Sequence, residues 1–595
     1  MRISRVVVKN YRSLKFVDVQ IVEPATMVIG ENNTGKSNFF QAIRLCLDSQ
    51  LTSAFRSLHK DDVHCHVDQT QPFQVLVGVE FADFEGHENE EALLHGTQIG
   101  PNRARIFYRF RPKRAVREAI AQNQQAYPLT LEDYGWELFG GGNPEVDLTA
   151  IEWNHENGDL GATSVGLQYL QSYLVVFLPA LRNVEADLQQ SRNSALARLV
   201  EACAIPPAEQ AALTAAVQTA NDEIEGSPTI QAISESIDEA LKEISGPAFS
   251  LDVDLGLSAP TFQSIVRNLV VLLSNGLVNQ FEARRNGLGL NNILYIAMLV
   301  EYFRKRAAIG KAAGELILIE EPEAHLHPQL QATLVDALRA LPFQSMVSTH
   351  STQVTGKAPI KSFVTLTAGA DGVPFASTPG TAAALTGEQQ RDLNRFLDAT
   401  KANLLFARKV MLVEGPAELL LVPALARRVL GVDLEREGIS VIAIHGTHFG
   451  AFSRLFSATS LPKKCAIVGD ADIPPADVFA GEDVPVQENL AALEGPFVRA
   501  FVGATTFERE ITLPGNLKML SRAAEDLHAP NLQAALNLQD ELIGGPVPEA
   551  LKAQVLRTAK RFGKARFAQV TAGHAALAEE LPAYIHDAIQ WLQQP

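Results

Sequence analysis

The stretch GENNTGKS, Gly30 to Ser37, fits the phosphate-binding pattern G-x-x-x-x-G-K-[ST] and decides the fold of the N-terminal half. An apolar run over residues 25–29 precedes it and predicts a buried strand, and residues 38–43 after it predict a helix. This order places backbone N–H groups of a helix N-terminus around phosphate oxygens. Lys36 then reaches the β- and γ-phosphates, and the Ser37 hydroxyl binds Mg²⁺. The sequence therefore predicts a site for ATP with Mg²⁺, formed by Gly30, Asn32, Asn33, Thr34, Gly35, Lys36 and Ser37.

The stretch ELILIEEPEAHLHP, residues 315–328, supplies the acids that such a site requires. Residues 316–319 predict a buried strand, and Glu320 and Glu321 follow at its carboxyl end. One acid of such a pair holds Mg²⁺ and the next polarises the attacking water. A further strand over residues 343–347 leads to His350, where a sensor of the γ-phosphate would lie. We expect Glu320 to bind the metal, Glu321 to act in catalysis and His350 to contact the nucleotide.

This set of motifs resembles the ABC-type ATPase heads of the RecF, SMC and Rad50 group over roughly residues 1–366. The chain departs from that group at Glu320, where aspartate is usual. It also departs at the signature loop, which usually reads LSGGQ and is replaced here by residues 286–292. Gly287 and Gly289 of this loop still offer backbone N–H groups before a helix. The resemblance implies that they cap a γ-phosphate across a dimer, so that two heads complete each site.

The overall composition indicates a multidomain protein of the cytoplasm. A chain of 595 residues is too long for one hydrophobic core. We expect no membrane span, because no apolar run reaches 18 residues. Four scattered cysteines argue against a disulfide framework or a structural zinc site. In an extended segment His64 and His66 would point away from Cys65, so we expect this triplet to be a loop without a metal role.

The net charge of −17 does not suit a general nucleic-acid binder, but one segment is strongly basic. Residues 103–117 contain seven basic residues and no acid. Arg103, Arg105, Arg109 and Arg111 alternate with mostly apolar residues, so a strand would bury one face and leave the arginine face positive. Two interpretations stay open: a solvated strand face, or a surface that follows the phosphates of DNA.

Changes in composition along the chain predict its domain organisation. Residues 1–190 and 261–368 form two parts of the N-terminal domain, and strand-like runs resume at Ile265 to Arg267. Residues 191–260 are rich in Ala, Glu, Gln and Leu at helical spacing, which predicts a helical insertion and a possible dimerisation element. Residues 369–400, rich in Gly, Ala, Pro and Thr at their start, are predicted as a linker. Alternating strand and helix patterns over residues 401–595 predict a parallel α/β sheet.

A second group of acids lies in this C-terminal part. A predicted strand over residues 409–413 ends at Glu414, and Glu418 opens the helix that follows. Another strand over residues 465–468 leads to Asp470 and Asp472, which point the same way in an extended segment. Carboxyl ends of parallel strands are where open α/β folds bind ligands. So many like charges are unstable without cations, so we expect one or two Mg²⁺ or Mn²⁺ ions.

The pattern E-G-x-x-E followed by D-x-D, each after an apolar strand, resembles the Toprim domain. An ABC-type head followed by Toprim in one chain resembles the OLD (overcoming lysogenization defect) nucleases, a group that includes the Gabija nuclease subunit. The expected fold class is therefore α/β, an ATPase head with a helical insertion followed by a Toprim domain with a parallel sheet. The resemblance implies metal binding and catalysis by Glu414, Asp470 and Asp472. It further implies that Glu508 is a metal ligand and that Lys564 stabilises charge.

The function implied is an ATP-regulated, divalent-metal-dependent DNA endonuclease in phage defence or DNA processing. Its expected partners are DNA and a second copy of the chain, and a helicase encoded nearby is a possible further partner. The first alternative is an SMC- or RecF-like DNA-binding ATPase whose Toprim domain does not cleave. The second is a topoisomerase or primase, although Tyr584 is the only tyrosine after residue 414 and the cysteines do not suit the zinc module of a primase.

Overall fold

The computed structural model describes the chain apart from residues 125–127, 157–159, 172, 181–193, 247–250, 275–278, 283–286, 310–312, 370–372, 447, 472–488, 543–544 and 595. It divides into two compact units. The first unit comprises Met1–Leu178, Ala313–Glu323 and Pro328–Pro595, and the second comprises Pro179–Ala312 and Ala324–His327.

Nineteen strands are found in the described part of the chain. They are β1 (Arg2–Tyr11), β2 (Leu14–Gln20), β3 (Ala25–Gly30), β4 (Val75–Ala82), β5 (Gln98–Gly100), β6 (Arg103–Pro112), β7 (Tyr134–Gly141), β8 (Ala162–Ser164), β9 (Leu174–Leu178), β10 (Leu272–Leu273), β11 (Phe281–Glu282), β12 (Glu315–Glu320), β13 (Gln344–Thr349), β14 (Phe363–Ala368), β15 (Pro374–Ser377), β16 (Lys409–Val413), β17 (Ile439–Ala443), β18 (Cys465–Asp470) and β19 (Val498–Gly503).

The α-helices of the same residues are identified by their bounds. Those of the first unit before residue 400 are Lys36–Leu47, Ser53–Arg56, Glu88–Leu93, Arg114–Ala121, Leu167–Leu170, Pro328–Arg339, Thr352–Thr355, Pro379–Ala382 and Gly387–Phe396. The second unit has Ala195–Ala202, Pro207–Glu225, Pro228–Ser245, Phe262–Arg267 and Leu288–Ala308. The C-terminal part has Asn403–Phe406, Pro416–Leu425, Gly450–Ser453, Phe507–Glu510, Leu517–Asp526, Pro530–Glu541, Glu549–Phe562, Lys564–Gly573 and Ala583–Gln593.

A six-stranded sheet carries the phosphate-binding loop. Its strand order is β15-β14-β3-β13-β12-β9, and all strands except β15 are parallel. All six residues of β3 are buried, as a continuous apolar run between two covered faces predicts. The order places β13 between the loop strand β3 and the acid-bearing strand β12. The carboxyl ends of these three strands therefore meet at one edge of the sheet.

A second sheet, β2-β1-β4-β6-β7-β8, is antiparallel and contains the arginine-rich strand β6. The prediction of an exposed arginine face is wrong, because Arg105, Arg109 and Arg111 are buried. Residues 143–156 cover that face, and their backbone carbonyls accept hydrogen bonds from the guanidinium groups. Glu80 also pairs with Arg105 at 2.9 Å. These arginines therefore tie a covering segment to the sheet, and neither interpretation proposed from the sequence holds for them.

The C-terminal sheet has the order β17-β16-β18-β19 and is parallel throughout, as predicted. Strands β16 and β18, which precede the two predicted groups of acids, are direct neighbours. Their buried residues form one hydrophobic core with the helices that follow, including Pro416–Leu425 and Ala583–Gln593. This packing fixes the two strand ends beside each other.

Two stretches differ from the sequence prediction. Residues 369–400, predicted as a linker, contain β15, which pairs with β14, and the helix Gly387–Phe396, whose Leu393 is buried. Residues 265–267, predicted as a strand, belong to the helix Phe262–Arg267, which the Thr261 side chain caps. The apolar pair at residues 265 and 266 is too short to distinguish the periodicity of a helix from that of a strand. Within the described residues, no helix combines the length and the hydropathy needed to cross a bilayer.

Candidate functional site

The phosphate-binding loop has the conformation that its motif predicts. Gly35, the residue before the helix Lys36–Leu47, has φ of 92°, and an added Cβ would lie 2.5 Å from Ser13 Oγ. Glycine is therefore required both by the backbone angle and by the space. The Lys36 ammonium donates to the carbonyl oxygens of Gly30 at 3.0 Å and Glu31 at 2.7 Å. Burial lowers the pKa of Lys36 to about 8, against the opposing effect of Glu321 and other nearby acids.

The acids of β12 lie at the same edge of the sheet. Glu320, the last residue of β12, is buried and pairs in register with Ser348 of β13. Glu321 follows with φ of 42°, and its backbone N–H donates to the Ser348 carbonyl at 2.9 Å. The left-handed conformation turns the chain sharply just after the strand. Burial, together with the charge of Lys36, lowers the pKa of His350.

Glu323 is a structural link that the sequence did not predict. Its Oε1 accepts hydrogen bonds from Thr349 Oγ1 at 2.7 Å and from the His350 backbone N–H at 2.9 Å. Burial raises the pKa of Glu323, although these hydrogen bonds oppose the shift. Glu323 thus holds the segment after β12 to the segment that presents His350. Its place in a run of several polar residues gave no signal that would distinguish it.

The predicted signature-like loop is described from Gly287 onward, and Asn286 lies outside the described residues. Gly287 precedes the helix Leu288–Ala308. A Cβ added at Gly289 would lie 2.2 Å from the His325 carbonyl oxygen, so this position requires glycine. Both glycines belong to the second compact unit. Their contact with a nucleotide stays a prediction.

Two of the acids predicted in the C-terminal part lie at adjacent strand ends and are joined by a hydrogen bond from backbone to carboxylate. Glu414 follows β16 and Asp470 ends β18, and Glu414 Oε1 accepts a hydrogen bond from the Asp470 backbone N–H at 2.7 Å. Asp470 Oδ2 accepts a second bond from the Phe507 backbone N–H at 2.9 Å. A Cβ added at Gly469 would lie 2.8 Å from Leu490 Cδ1 and 3.2 Å from Glu414 Oε1. Glycine before Asp470 therefore lets the two strand ends approach.

The surroundings of Asp470 and Glu418 disfavour ionisation of their carboxyl groups. Burial, reinforced by Glu414, raises the pKa of Asp470 well above its usual range. Burial also raises the pKa of Glu418 to about 7, and the charges of Glu508 and Glu414 add to this shift. The Glu418 Oε2 accepts from the Gly415 backbone N–H at 3.2 Å and so caps its own helix. A cation close to Asp470 and Glu418 would favour the ionised form of both carboxyl groups.

Glu508 and Lys564 complete this group. The side chain of Glu508 is 2% exposed, and Lys564 Nζ lies 3.1 Å from its Oε2. Within the described residues, Glu508 Oε1 is buried without a hydrogen-bond partner. Burial alone would lower the pKa of Lys564, but Glu508, Asp470 and Glu418 raise it. Lys564 begins the helix Lys564–Gly573, after Gly563 with φ of 90°.

The donor set fits a hard divalent cation. Carboxylate oxygens are the ligands that Mg²⁺ and Mn²⁺ prefer, and the buried Glu508 carboxylate can accept further partners. Asp472, the remaining predicted ligand, lies outside the described residues. Among the residues described, His64, Cys65 and His66 are the group of three whose ligand atoms lie within 4.8 Å of one another. The carboxylates are spaced more widely than that.

The triplet at residues 64–66 lies in a loop, as predicted, but its side chains do not have the extended arrangement from which that prediction was argued. The chain turns at Cys65 and His66, so the three side chains do not alternate as they would in an extended segment. The two imidazole rings stack with centroids 5.1 Å apart, and the His66 backbone N–H donates to His64 Nδ1 at 3.2 Å. His64 is buried, and burial lowers its pKa.

Tyr584 bears on the topoisomerase alternative. Its hydroxyl is buried and has no hydrogen-bond partner within the described residues. Burial raises the pKa of Tyr584 well above 10, and the charges of Asp470 and Glu418 act in the same direction. A nucleophilic tyrosine needs an accessible oxygen that is readily deprotonated. Tyr584 has neither property.

Comparison with known families agrees with this arrangement. Residues 1–355 match the family described as "AAA ATPase domain". Residues 405–472 match the family described as "Overcoming lysogenization defect protein-like, TOPRIM domain". The chain belongs to the AAA ATPase domain family. Its C-terminal part carries an OLD-like TOPRIM domain. The predicted fusion of an ATPase head to a Toprim domain is confirmed.

Individual proteins are similar over most of the chain. Endonuclease GajA of Bacillus cereus is 20% identical over 460 residues, which cover 76% of this chain and 72% of GajA. The OLD nuclease of Thermus scotoductus is 23% identical over 573 residues, covering 92% of this chain and 97% of that protein. The solved C-terminal region of the Burkholderia pseudomallei OLD protein is 28% identical and covers 32% of this chain and 98% of that structure, with a TM-score of 0.25. The predicted enzyme class, an ATPase joined to an OLD-like nuclease domain, is confirmed.

Proposed function

We propose that the protein is a DNA endonuclease that depends on divalent metal ions and is regulated by ATP. The meeting of Glu414 and Asp470 at the ends of adjacent parallel strands carries the proposal. Around them, Glu418 and Glu508 supply further buried carboxylates and Lys564 supplies a cation. The similarity to proteins named endonuclease GajA and OLD nuclease supports DNA as the substrate.

The acidic residues and Lys564 are proposed to have separate roles in cleavage of the phosphodiester. We assign Glu414, Asp470 and Asp472 to one metal position, and Glu418, Glu508 and a shared aspartate to a second. When bound, such ions supply a hydroxide nucleophile and stabilise the leaving oxygen. The pair Glu414–Asp470 fixes the approach of the two strand ends. Lys564, already beside Glu508, would neutralise charge that grows on the scissile phosphate.

ATP at the P-loop site is proposed to regulate this reaction. Lys36, Ser37 and Glu320 would hold the phosphates with Mg²⁺, while Glu321 polarises the attacking water and His350 contacts the γ-phosphate. A ligand changes a conformational equilibrium only through unequal affinity for the two states. Regulation therefore requires that ATP and its hydrolysis product favour different arrangements of the ATPase sheet.

We also propose a homodimer in the cytoplasm. The helices Pro207–Glu225 and Pro228–Ser245 expose apolar side chains to solvent, among them Leu213, Ile224, Ile233 and Ile237. A second copy of the chain would cover these residues and bring Gly287 and Gly289 to the partner's nucleotide. A possible helicase encoded nearby and a role in phage defence, both implied by the resemblance to the OLD nucleases, belong to the same proposal.

Cleavage of plasmid DNA tests the proposed function. The protein is incubated with supercoiled plasmid and Mn²⁺ or Mg²⁺, beside Asp470→Ala and the matched control Asp587→Ala, whose side chain is 63% exposed. We expect nicking or linearisation by the wild type and the control, and its loss in Asp470→Ala. Relaxed, re-joined topoisomers would instead indicate a topoisomerase. Unchanged DNA with rapid ATP turnover would indicate a DNA-binding ATPase.

A further inference from the structure

An ion pair joins the phosphate-binding loop to the start of the C-terminal sheet. Arg408 Nε lies 3.0 Å from Glu31 Oε2. Glu31 is the second residue of the P-loop motif, and Arg408 immediately precedes β16, the strand that ends at Glu414. The guanidinium side chain is 75% exposed, whereas that of Glu31 is 17% exposed. An exposed pair of this kind contributes little stability, so a stronger anion can replace Glu31.

The pair lies in the wall of a cavity at the mouth of the nucleotide site. The cavity has a volume of about 390 Å³. Gly30, Asn32 and His350 line it on the side of the phosphate-binding loop, and Phe406 and Arg408 line it on the side of the C-terminal segment. His350 is the residue expected at the γ-phosphate. Arg408 therefore shares one cavity with the predicted sensor of that phosphate.

The segment that carries Arg408 is held to the second strand of the acidic group. The buried Lys463 Nζ donates to the carbonyl oxygens of Leu405 at 3.0 Å and Ala407 at 2.7 Å. The Val410 backbone N–H donates to the Lys464 carbonyl at 2.9 Å. Residues 463 and 464 lead directly into β18, which ends at Asp470. Residues 405–408 are therefore linked by chain connectivity to β16 and by hydrogen bonds to the segment that leads into β18.

Gly438 sets the position of the Arg408 side chain. It has φ of 70°, and an added Cβ would lie 3.3 Å from Arg408 Cβ and Cδ. The aliphatic part of Arg408 therefore packs against a residue without a side chain, at the turn that leads into β17. The guanidinium at the end of this side chain pairs with Glu31 of the phosphate-binding loop.

We propose that Arg408 senses the terminal phosphate of ATP and couples it to the nuclease strands. Without nucleotide, Arg408 pairs with Glu31; with ATP, the guanidinium transfers to the γ-phosphate and draws residues 405–408 with it. Arginine suits this role because its planar group binds phosphate through two parallel hydrogen bonds. ADP lacks the phosphate and leaves the pair with Glu31 in place. The proposal rests on the proposed function, because it assumes that ATP occupies the P-loop.

Nucleotide binding tests the sensor directly and does not require nuclease activity. Binding of ADP and of a non-hydrolysable ATP analogue with Mg²⁺ is measured by calorimetry for the wild type, Arg408→Gln and Arg408→Lys. The matched control is Arg427→Gln, a side chain 67% exposed and paired with Asp433. We expect Arg408→Gln to bind the ATP analogue about tenfold more weakly with ADP binding unchanged, and Arg408→Lys to fall between. Equal losses for both nucleotides, or no loss for either, would overturn the sensor.

The coupling is tested by the ratio of plasmid nicking with ATP to nicking without nucleotide. For the wild type and Arg427→Gln this ratio should differ from one, in either direction. In Arg408→Gln it should approach one. A wild-type ratio of one, or an unchanged ratio in Arg408→Gln, would overturn the coupling. If no protein nicks DNA, the proposed function fails, and the binding measurements still decide whether Arg408 distinguishes ATP from ADP.

Discussion

The nucleotide site and the acidic site share one backbone arrangement, but the side chains that matter most at the two sites carry opposite charge. In both, neighbouring parallel strands end at one edge of a sheet, β3, β13 and β12 in one case and β16 and β18 in the other. At the first edge, two backbone carbonyls hold the ammonium of Lys36 ready for phosphate. At the second edge, Asp470 and Glu418 are buried near other carboxylates, and the pKa of each is raised. The side chains at the strand ends, and not the sheet, therefore decide which ion such an edge of an α/β sheet binds.

The largest effect that sharpens this comparison is expected for Lys36→Met. Removing the cation that contacts the phosphates should lower ATP turnover by about 10³-fold, as loss of a stabilising charge in a closed site does. Nicking without nucleotide should stay at the wild-type level, because the acidic site contains no residue of the P-loop. Both rates are measured on the same preparation. A parallel loss of nicking would show that the two edges are not independent.

Lys564→Met tests whether a cation matters at the acidic edge too. Nicking should fall by about 10²-fold, since one donor to a developing oxyanion has an effect of that size. The affinity for Mn²⁺ should be unchanged or higher, because the variant removes a positive charge beside Glu508. Lys552→Met, which removes a lysine paired with the surface residue Glu549, is the control. A fall in metal affinity would contradict the assigned role.

A smaller effect is expected from pH. The pKa of Glu418 is about 7, so protons compete with metal ions below that value. Lowering the pH from 7 to 6 should weaken Mn²⁺ binding by about fivefold, because the ionised fraction of Glu418 falls from about one half to about one tenth. Glu418→Gln should flatten this dependence. A wild-type profile without any slope between pH 6 and 8 would contradict the raised pKa.

The same shift predicts how stability without metal depends on pH. The folded-state pKa of Glu418 lies above its unfolded value, so the folded protein binds more protons between the two values. The free energy of unfolding should therefore fall as the pH rises from about 4.5 to 7 and then level off. Thermal unfolding in the presence of a chelator measures this. Glu418→Gln should unfold at a higher temperature than the wild type at pH 8.

The sequence predicted the parts of the fold that depend on local pattern. The P-loop strand, the helix after it and the parallel C-terminal strands follow from continuous apolar runs next to glycine and acids. The prediction that the arginine face of β6 is exposed was wrong. A period of two shows that the two faces of a strand differ, but it does not show whether a distant segment covers one of them. Residues 143–156 provide that cover.

The sequence predicted less of the site's internal contacts. Glu414 and Asp470 could be paired from their place after strands, because parallel strands end at one edge. The contact of Glu323 with His350 and that of Arg408 with Glu31 could not be predicted in this way. Both depend on tertiary packing that neither composition nor spacing encodes. The roles of individual ligands, and of Asp472 above all, stay predictions.

Binding of Mn²⁺ to the nucleotide-free protein, followed by electron paramagnetic resonance, tests the central claim most directly. The wild type and Glu320→Gln, which alters only the nucleotide edge, should bind Mn²⁺ with the same high affinity. The double variant Glu414→Gln with Asp470→Asn should bind it at least about 100-fold more weakly. Equal Mn²⁺ binding by the wild type and the double variant would contradict the assignment of the acidic edge as a metal site.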